Sequence, residues 1–283
     1  ERQCFSNVEK RKIKSSSREN ERGALPKMTS KLNTRKIRAF KNKERTLQML
    51  TCYDYQSALM LNETDLDMIL VGDSLGNVVL GYETTVSVTL NDMQTFGAAV
   101  KRGAKDKFVV VDLPFGSYNT LEQGLESGAK LFRTTQAEAL KLEGAFPYQI
   151  ELIERLTQIG IPVMGHIGLT PQSVHQQGGY YVHGKTHSSS EQLIENAKRL
   201  EQAGAFALVL ECVEKNTSSI ITKELSIPTI GIGSGQDVDG QVLVLNDLLG
   251  LGQDKGPGFC TPIANFYEAK RELIQNYLKE GRE

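Results

Sequence analysis

Short apolar segments alternate with amphipathic patterns along the chain from about residue 47 onward. Most of these segments are apolar on both faces, as strands buried in a parallel sheet are. The pattern predicts strands at residues 48–53, 68–73, 108–113, 139–143, 162–167, 207–213, 228–232 and 242–245. Between them, apolar residues recur with the spacing of helices. The clearest predicted helix spans residues 191–203, with Ser189 and Gln192 as its expected capping box.

This alternation predicts an α/β fold. Strand–helix repeats spread over roughly 200–250 residues match the size of a (β/α)8 TIM barrel. A doubly wound parallel sheet is the alternative. We expect two parts: a flexible basic N-terminal arm at residues 1–45, and a catalytic barrel that ends in a helix at residues 46–283.

The charge distribution separates the arm from the rest of the chain. Residues 1–45 contain 15 basic and 5 acidic residues, whereas the remainder contains 18 basic and 29 acidic residues. A polar segment of this kind is typically solvated. A nucleic-acid-binding arm is the functional alternative. The acidic character of the barrel argues against it, so we expect no nucleic-acid partner.

The cysteines and the hydropathy indicate where such a protein works. Cys4, Cys52, Cys212 and Cys260 are far apart and form no CxxC pair, so neither a zinc site nor a disulfide scaffold is indicated. No apolar run approaches the ~18 residues of a membrane helix, and no secretory apolar core lies near the N-terminus. We therefore expect a cytoplasmic protein with reduced thiols and no membrane partner.

Polar residues end most of the predicted strands. Barrel enzymes have their active sites at the carboxyl ends of the strands, where the following loops converge. The residues in this position are Asp54, Asp73, Asp112, Lys141 with Glu143, His166 and Glu211. A barrel with a purely structural role would not need this pattern, so these residues are candidates for an active site.

Three of these acids predict a magnesium site. Asp73, Asp112 and Glu143 end neighbouring strands, where three carboxylates would repel one another unless a cation neutralised them. Oxygen ligands without His or Cys suit Mg²⁺. Lys141 points to the same face as Glu143, so this cation and this anion could serve metal and substrate jointly. A plain surface ion pair is the alternative. The alternative for each acid is the cap of a loop or helix.

Glu211 and His166 are candidates for proton transfer and substrate binding. Glu211 ends an apolar strand and is a plausible general base near neutral pH. A buried Glu satisfied by backbone donors is its alternative. His166 is expected to orient the substrate, and direct acid–base work is a weaker alternative.

Two glycine motifs are discounted. Residues 179–186 match the Walker A pattern, but the pattern requires a strand just before it and a helix that opens at its Lys-Thr. The strand pattern ends near residue 167, and polar residues follow Thr186. The GxGxG at residues 231–235 follows a strand but differs from the dinucleotide motif. We expect it to form a tight turn near the mouth of the site.

Six ordered motifs resemble one enzyme family. They are VGDSLG at 71–76, VDLPF at 111–115, KLEG at 141–144, GHIGLTPQS at 165–173, LECV at 210–213 and IGIGSG at 230–235. Together they closely resemble ketopantoate hydroxymethyltransferases over about residues 50–250. The departures from the family pattern are Ser87, Ala145, His183 and an irregular segment at residues 255–262, and the last could alter folate binding or subunit packing.

The resemblance implies a Mg²⁺-dependent barrel enzyme of pantothenate biosynthesis. The family transfers a hydroxymethyl group from 5,10-methylenetetrahydrofolate to 3-methyl-2-oxobutanoate, giving 2-dehydropantoate. It implies Asp73, Asp112 and Glu143 as metal ligands and Glu211 as the proton acceptor. Its keto-acid contacts would be Asp73, Ser74, Asp112 and Lys141. It further implies a homo-oligomer, often a decamer.

Three rival functions remain open at this point. One is a metal-dependent lyase or mutase that acts on C–C or C–P bonds of 2-oxo acids. Another is a nucleotide-binding protein that uses the Walker-like loop. The third is the nucleic-acid binder with the basic arm.

Overall fold

The computed structural model describes residues 31–41, 43–253 and 256–281. Its strands are β1 (Leu47–Thr51), β2 (Met68–Val71), β3 (Phe108–Asp112), β4 (Ala139–Glu143), β5 (Val163–Gly168), β6 (Ala207–Glu211), β7 (Thr229–Ile232) and β8 (Gly240–Leu243). All pair in parallel in chain order, and β1 also pairs with β8. The sheet is therefore a closed barrel, and the (β/α)8 prediction is confirmed.

Helices surround the barrel and fill its connections. They are α1 (Thr34–Arg38), α2 (Tyr55–Asn62), α3 (Leu75–Val78), α4 (Leu90–Gly103), α5 (Leu121–Thr135), α6 (Pro147–Gln158), α7 (Val174–Gln177), α8 (His187–Gln202), α9 (Lys215–Glu224), α10 (Leu245–Leu249) and α11 (Phe266–Glu280). Single turns of 3₁₀-helix lie at Thr85–Ser87 and Pro171–Ser173. No helix among the described residues has the length and apolar character to cross a membrane.

The strands divide their side chains between two apolar clusters. Met68 and Leu70 of β2 belong to the inner cluster, which fills the barrel. Ile69 and Val71, the residues that alternate with them, belong to the outer cluster between sheet and helices. This division follows from the two-residue period of a strand. It explains why the predicted strands are apolar on both faces.

Residues 31–41 close the amino-terminal end of the barrel. Leu32, Ile37 and Phe40 are buried and join the inner cluster. Lys41 Nζ lies 2.9 Å from Asp239 Oδ2, just before β8. Ordered structure thus reaches into the segment predicted as an arm, because three spaced apolar residues among its charges suffice to seal the barrel. The rest of that segment, Glu1–Ser30, lies outside the described residues.

Helix α8 begins earlier than predicted. Its N-cap is Thr186, whose side chain accepts a hydrogen bond from Ser189 N. The predicted capping box at Ser189 and Gln192 was therefore wrong by one turn. The sequence pattern missed this turn because His187 and the three serines after it are polar and show no apolar periodicity.

Among the described residues, Cys52, Cys212 and Cys260 are free thiols. Burial raises the pKa of the Cys212 thiol to about 11, and the neighbouring Glu211 adds to the shift. This thiol is therefore protonated near neutral pH and is a weak nucleophile. Cys4 lies outside the described residues.

The substitution Ile37→Ala tests the seal at the amino-terminal end. Ile37 is completely buried, so its truncation should lower the free energy of unfolding by about 2–5 kcal/mol. Urea denaturation at matched protein concentration measures this loss. Ile159→Ala removes the same atoms from an exposed position and should change the value by less than ~0.5 kcal/mol. Equal effects of the two substitutions would contradict the seal.

Candidate active site

The carboxyl ends of the strands surround a cavity of about 440 Å³. The residues predicted to bind metal or substrate or to act as the base all line this cavity: Asp73, Ser74, Asp112, Lys141, Glu143, His166 and Glu211. The strand-end candidate Asp54 does not line it, because Asp54 is the N-cap of α2 and accepts a hydrogen bond from Ser57 N at 2.9 Å. The structure therefore brings together residues that are up to 138 positions apart in the chain. Their individual roles stay predictions.

The strand register explains how these side chains meet. Asp112 pairs with Lys141 across β3 and β4, and Glu143 pairs with His166 across β4 and β5. All four residues continue the inward positions of their strands, two or four residues beyond members of the inner apolar cluster. The same alternation that fills the barrel therefore directs Glu211, at the end of β6, toward the cavity.

Lys141 lies at the centre of the cluster. Its Nζ is 2.9 Å from Asp112 Oδ1 and 3.9 Å from Glu143 Oε1. Burial by itself would lower the pKa of Lys141, but Asp112 and Glu143 outweigh burial and raise the pKa above its usual range. Lys141 is therefore a fixed positive charge in an almost fully buried setting.

His166 connects two acids. Its Nδ1 lies 3.4 Å from Glu143 Oε1, and its Nε2 lies 3.3 Å from Glu211 Oε2. Burial and the nearby Lys141 lower the pKa of His166, but Glu143 and Glu211 outweigh both and raise it to about 9. The imidazole is therefore protonated at neutral pH. The protonated ring therefore lies as a cation between the two carboxylates and offsets part of their negative charge.

The cluster contains more negative than positive charge. Burial, together with Glu143 and Asp112, raises the pKa of Asp73 well above its usual range. The pKa of Asp112 is also raised by burial, although Lys141 opposes the shift. With Glu211 included, four carboxylates face two cations, which leaves an excess of two negative charges when all are ionised. Raised pKa values are the expected response of acids that lack sufficient countercharge.

The donor set fits a divalent cation. Asp112 Oδ1 is buried and, apart from its ion pair with Lys141, has no hydrogen-bond partner. Two extra positive charges would balance the cluster, and carboxylate oxygens are the ligands that Mg²⁺ prefers. Within the described ranges, no group of three acidic, His or Cys side chains already converges on one point. Asp112 and Glu143 instead turn toward Lys141 and His166.

Gln172 organises the acids, and the sequence analysis gave it no role. Its Nε2 donates to Asp73 Oδ2 at 2.7 Å and to the Leu113 carbonyl at 2.9 Å. Its backbone N–H donates to Glu143 Oε2 at 3.1 Å, and its Oε1 accepts from the Tyr118 hydroxyl. The one signal in the sequence was that Gln172 lies in the motif at residues 165–173. The groups that it contacts lie at the ends of β2, β3 and β4, which no local pattern reveals.

Two glycines set the spacing at the strand ends. A Cβ at Gly72 would lie 2.9 Å from Ser74 Oγ and 3.5 Å from Asp112 Oδ2, so the absent side chain leaves room beside the acids. Gly168 has φ +98° and lies so close to Glu211 that a Cβ would overlap the Glu211 carbonyl oxygen. This close approach aligns β5 with β6 and positions Glu211. The Glu211 side chain remains 19% exposed.

The Walker-like segment does not form a phosphate-binding loop. A 3₁₀ turn and α7 separate it from β5, so no strand leads directly into it. A helix does open at its Lys-Thr, contrary to expectation, because Thr186 is the N-cap of α8. The strand required for the nucleotide-binding geometry is nevertheless missing at this position.

The GxGxG segment forms the expected tight turn. Gly233 has φ +64°, and Ser234 is buried. Ser234 Oγ donates to the Leu210 carbonyl at 2.7 Å and accepts from Val213 N at 2.9 Å. The turn therefore ties β7 to the end of β6 beside Glu211, and this role is structural.

Comparison with known proteins identifies the family. Residues 31–283 match the family described as Ketopantoate hydroxymethyltransferase. The chain belongs to this family. It is 50% identical over 250 residues to the 3-methyl-2-oxobutanoate hydroxymethyltransferase of Thermotoga maritima, covering 88% of this chain and 92% of the relative. The enzyme of that name from Leptospira interrogans is 47% identical over 241 residues, covering 85% and 91%. The predicted family of transferases is confirmed.

Solved structures of lower identity share the fold. A phosphonopyruvate hydrolase aligns with a TM-score of 0.60 and 11% identity, covering 88% of each chain. A 2,3-dimethylmalate lyase aligns with a TM-score of 0.58 and 14% identity, covering 89% of this chain and 86% of that one. At such identities the likeness extends to the barrel alone. The lyase or mutase function is therefore not favoured over the hydroxymethyltransferase family.

The substitution Gln172→Met tests the buried network. It keeps the length of the side chain but leaves the Tyr118 hydroxyl and an oxygen of Asp73 without partners. Unpaired buried groups of this kind should lower the free energy of unfolding by about 2–4 kcal/mol. Urea denaturation measures this loss. In Gln158→Met, a control on the exposed surface of α6, the change should stay below ~0.5 kcal/mol; a similar value for Gln172→Met would contradict the network.

Proposed function

We propose that this chain transfers a hydroxymethyl group from 5,10-methylenetetrahydrofolate to 3-methyl-2-oxobutanoate, giving 2-dehydropantoate and tetrahydrofolate. Family membership supports this reaction class. The observation that carries the proposal is the buried cluster at the strand ends, whose excess negative charge and adjoining Glu211 suit a metal-assisted enolisation. The product, 2-dehydropantoate, implies a role in pantothenate biosynthesis.

Asp73, Asp112 and Glu143 would hold Mg²⁺ in this proposal. Two features support the assignment: Asp112 Oδ1 is buried with Lys141 as its one partner, and the four ionised acids would exceed the two cations by two charges. A bound Mg²⁺ acts as a Lewis acid, which stabilises negative charge on a keto oxygen. Lys141 adds a second positive charge from the chain itself, in a water-poor setting where such a charge is most effective.

Ser74 and Lys141 would bind the keto acid beside these acids. Ser74 Oγ is held 2.8 Å from the Tyr53 hydroxyl, which leaves it in a fixed orientation at the cavity wall. Lys141 Nζ provides donors for the carboxylate or keto oxygen of the substrate. The positive charge favours the enolate over the keto form, because further negative charge develops on the keto oxygen next to Lys141.

Glu211 would take the proton from C3 of the keto acid. It lies in the cavity at the end of β6, and His166 Nε2 lies 3.3 Å from its Oε2. As the C3–H bond breaks, the proton passes to the Glu211 carboxylate and the electron pair delocalises onto the keto oxygen. The folate reacts in its opened form, in which the bond from the methylene carbon to N10 has broken, N10 has taken a proton and the carbon is held by N5 as an iminium. The nucleophilic C3 bonds to this carbon, and the electron pair of the C=N bond returns to N5. Water then replaces N5 on the carbon, so the C–N5 bond breaks, the hydroxyl oxygen comes from water, and N5 leaves with a proton as tetrahydrofolate.

Assembly and location stay predictions. We expect a homo-oligomer, as the family resemblance implies, and a cytoplasmic protein in keeping with the free thiols. Size-exclusion chromatography with light scattering and cell fractionation would test these two expectations.

The substitution Glu211→Gln tests the base. It removes the proton acceptor but keeps the shape, so turnover should fall by about 100-fold or more while keto-acid binding changes little. Deuterium exchange at C3 of 3-methyl-2-oxobutanoate, followed by NMR in D₂O with Mg²⁺, measures the step directly. Glu195→Gln, on the exposed face of α8, should exchange like the wild type. Wild-type exchange in Glu211→Gln would remove Glu211 from this role.

The substitution Asp112→Asn tests the metal site. It removes one ligand charge from the cluster, so Mg²⁺-dependent binding of the keto acid should weaken by at least ~10-fold. Titration calorimetry with and without Mg²⁺ measures this binding without turnover. Asp237→Asn, an exposed substitution, provides the control. Equal metal dependence in Asp112→Asn and the wild type would argue against Asp112 as a ligand.

A further inference from the structure

The cavity has a second wall that the mechanism above does not use. Besides the charged cluster, it is lined by Ile232, Val242, Val244, Pro257, Phe259 and Tyr180. A largely apolar wall with few polar groups is typical of sites that bind planar organic ligands. The cavity is larger than a five-carbon keto acid and a metal ion require.

One carboxylate interrupts this apolar wall. Asp247, near the start of α10, lines the cavity beside Pro257 and Phe259. Each other carboxylate that lines the cavity in the described part of the chain contacts a partner: Lys141 for Asp112, Gln172 for Asp73, and His166 for Glu143 and Glu211. The carboxylate of Asp247 has no hydrogen bond or ion pair with any described residue.

Helix capping does not account for Asp247. It occupies the third position of α10, but the N-cap Val244 forms no side-chain cap bond. By contrast, Asp92 at the third position of α4 accepts a hydrogen bond from the backbone N–H of its N-cap Thr89 at 2.9 Å. Burial raises the pKa of Asp247, and no cation opposes the shift. The carboxylate of Asp247 is therefore half-buried at the cavity wall and free to accept hydrogen bonds from a ligand.

The neighbouring loop fixes the wall around Asp247. A Cβ at Gly233 would lie 2.7 Å from the Phe259 ring, so the ring packs directly on the backbone at the end of β7. A Cβ at Gly256 would lie 3.1 Å from Asp247 Cβ, so the same loop also packs on the acid. This loop is the described part of the segment at residues 255–262 that departs from the family pattern; Lys255 lies outside it.

We propose that Asp247 and Phe259 form the subsite for the pterin ring of the folate co-substrate. The pterin presents its N3–H and 2-amino group side by side, and a carboxylate accepts such a pair through both oxygens. The flat ring can stack on Phe259, whose side chain remains 42% exposed. This inference rests on the proposed function, because it assigns the second substrate of that reaction.

The substitution Asp247→Asn tests the subsite. It loses one of two acceptors and the negative charge, so tetrahydrofolate binding should weaken by at least ~10-fold. Calorimetry measures this affinity, and C3 deuterium exchange of the keto acid without folate should stay within two-fold of the wild type. Glu122→Gln is the matched control, since Glu122 is an exposed acid in the first turn of α5. It should retain wild-type affinity.

A ligand analogue tests the same contact without relying on the variant. A tetrahydrofolate with methyl in place of its 2-amino group lacks one donor. The wild type should bind it at least ~10-fold more weakly than tetrahydrofolate, whereas Asp247→Asn should discriminate much less.

The outcomes separate the two proposals. A wild-type enzyme that transfers the one-carbon unit, together with an Asp247→Asn variant that binds tetrahydrofolate within two-fold of the wild type, would overturn the subsite alone. Equal wild-type affinity for the two ligands would also overturn it. A wild type that neither exchanges C3 deuterium nor binds tetrahydrofolate would overturn the proposed function and the subsite with it.

Discussion

The site depends on carboxyl groups that are buried together with too few cations to balance their full ionisation. Asp73, Asp112 and Glu143 are almost completely buried, and Lys141 is the nearest fixed cation. Burying like charges together is unfavourable unless countercharges and hydrogen bonds offset the loss of water. The chain supplies part of this compensation through Lys141, His166 and the Gln172 network. The countercharge that the chain does not supply is what suits the strand ends to a divalent cation, which in turn attracts an anionic substrate.

The barrel can tolerate these buried charges because its amino-terminal end is apolar and stabilises the fold, whereas its carboxyl end forms the site. At the amino-terminal end, Ile37 and Phe40 extend the inner apolar cluster and seal it from water. At the carboxyl end, the same inward positions of the strands become polar. A cavity there weakens no apolar layer, since the layers below it remain closed. This division is general in barrel enzymes, and here each strand from β3 to β6 shows it within five or six residues.

Most of the site residues could be predicted from the sequence because they are the polar residues that end the strands. In a closed parallel barrel, a polar residue at the end of an apolar strand lies at the carboxyl end of the barrel. Asp112, Lys141 and His166 could therefore be grouped without a structure. Gln172 and Asp247 could not be grouped in this way. Both lie in the connections that follow strands, where the direction of a side chain depends on the path of the loop. The start of α8 was missed for a related reason, since its first turn is polar.

The amino-acid sequence by itself determined the barrel, its strand order and the chemical character of the site. These features follow from local periodicity and from the parity of positions along a strand, which are properties of neighbouring residues. Only the tertiary structure decided which groups share a proton or a charge: that His166 joins Glu143 to Glu211, that Gln172 serves two acids, and that Asp247 faces the cavity without a partner. Such pairings depend on distances of a few ångströms between remote segments, and no local pattern encodes those distances.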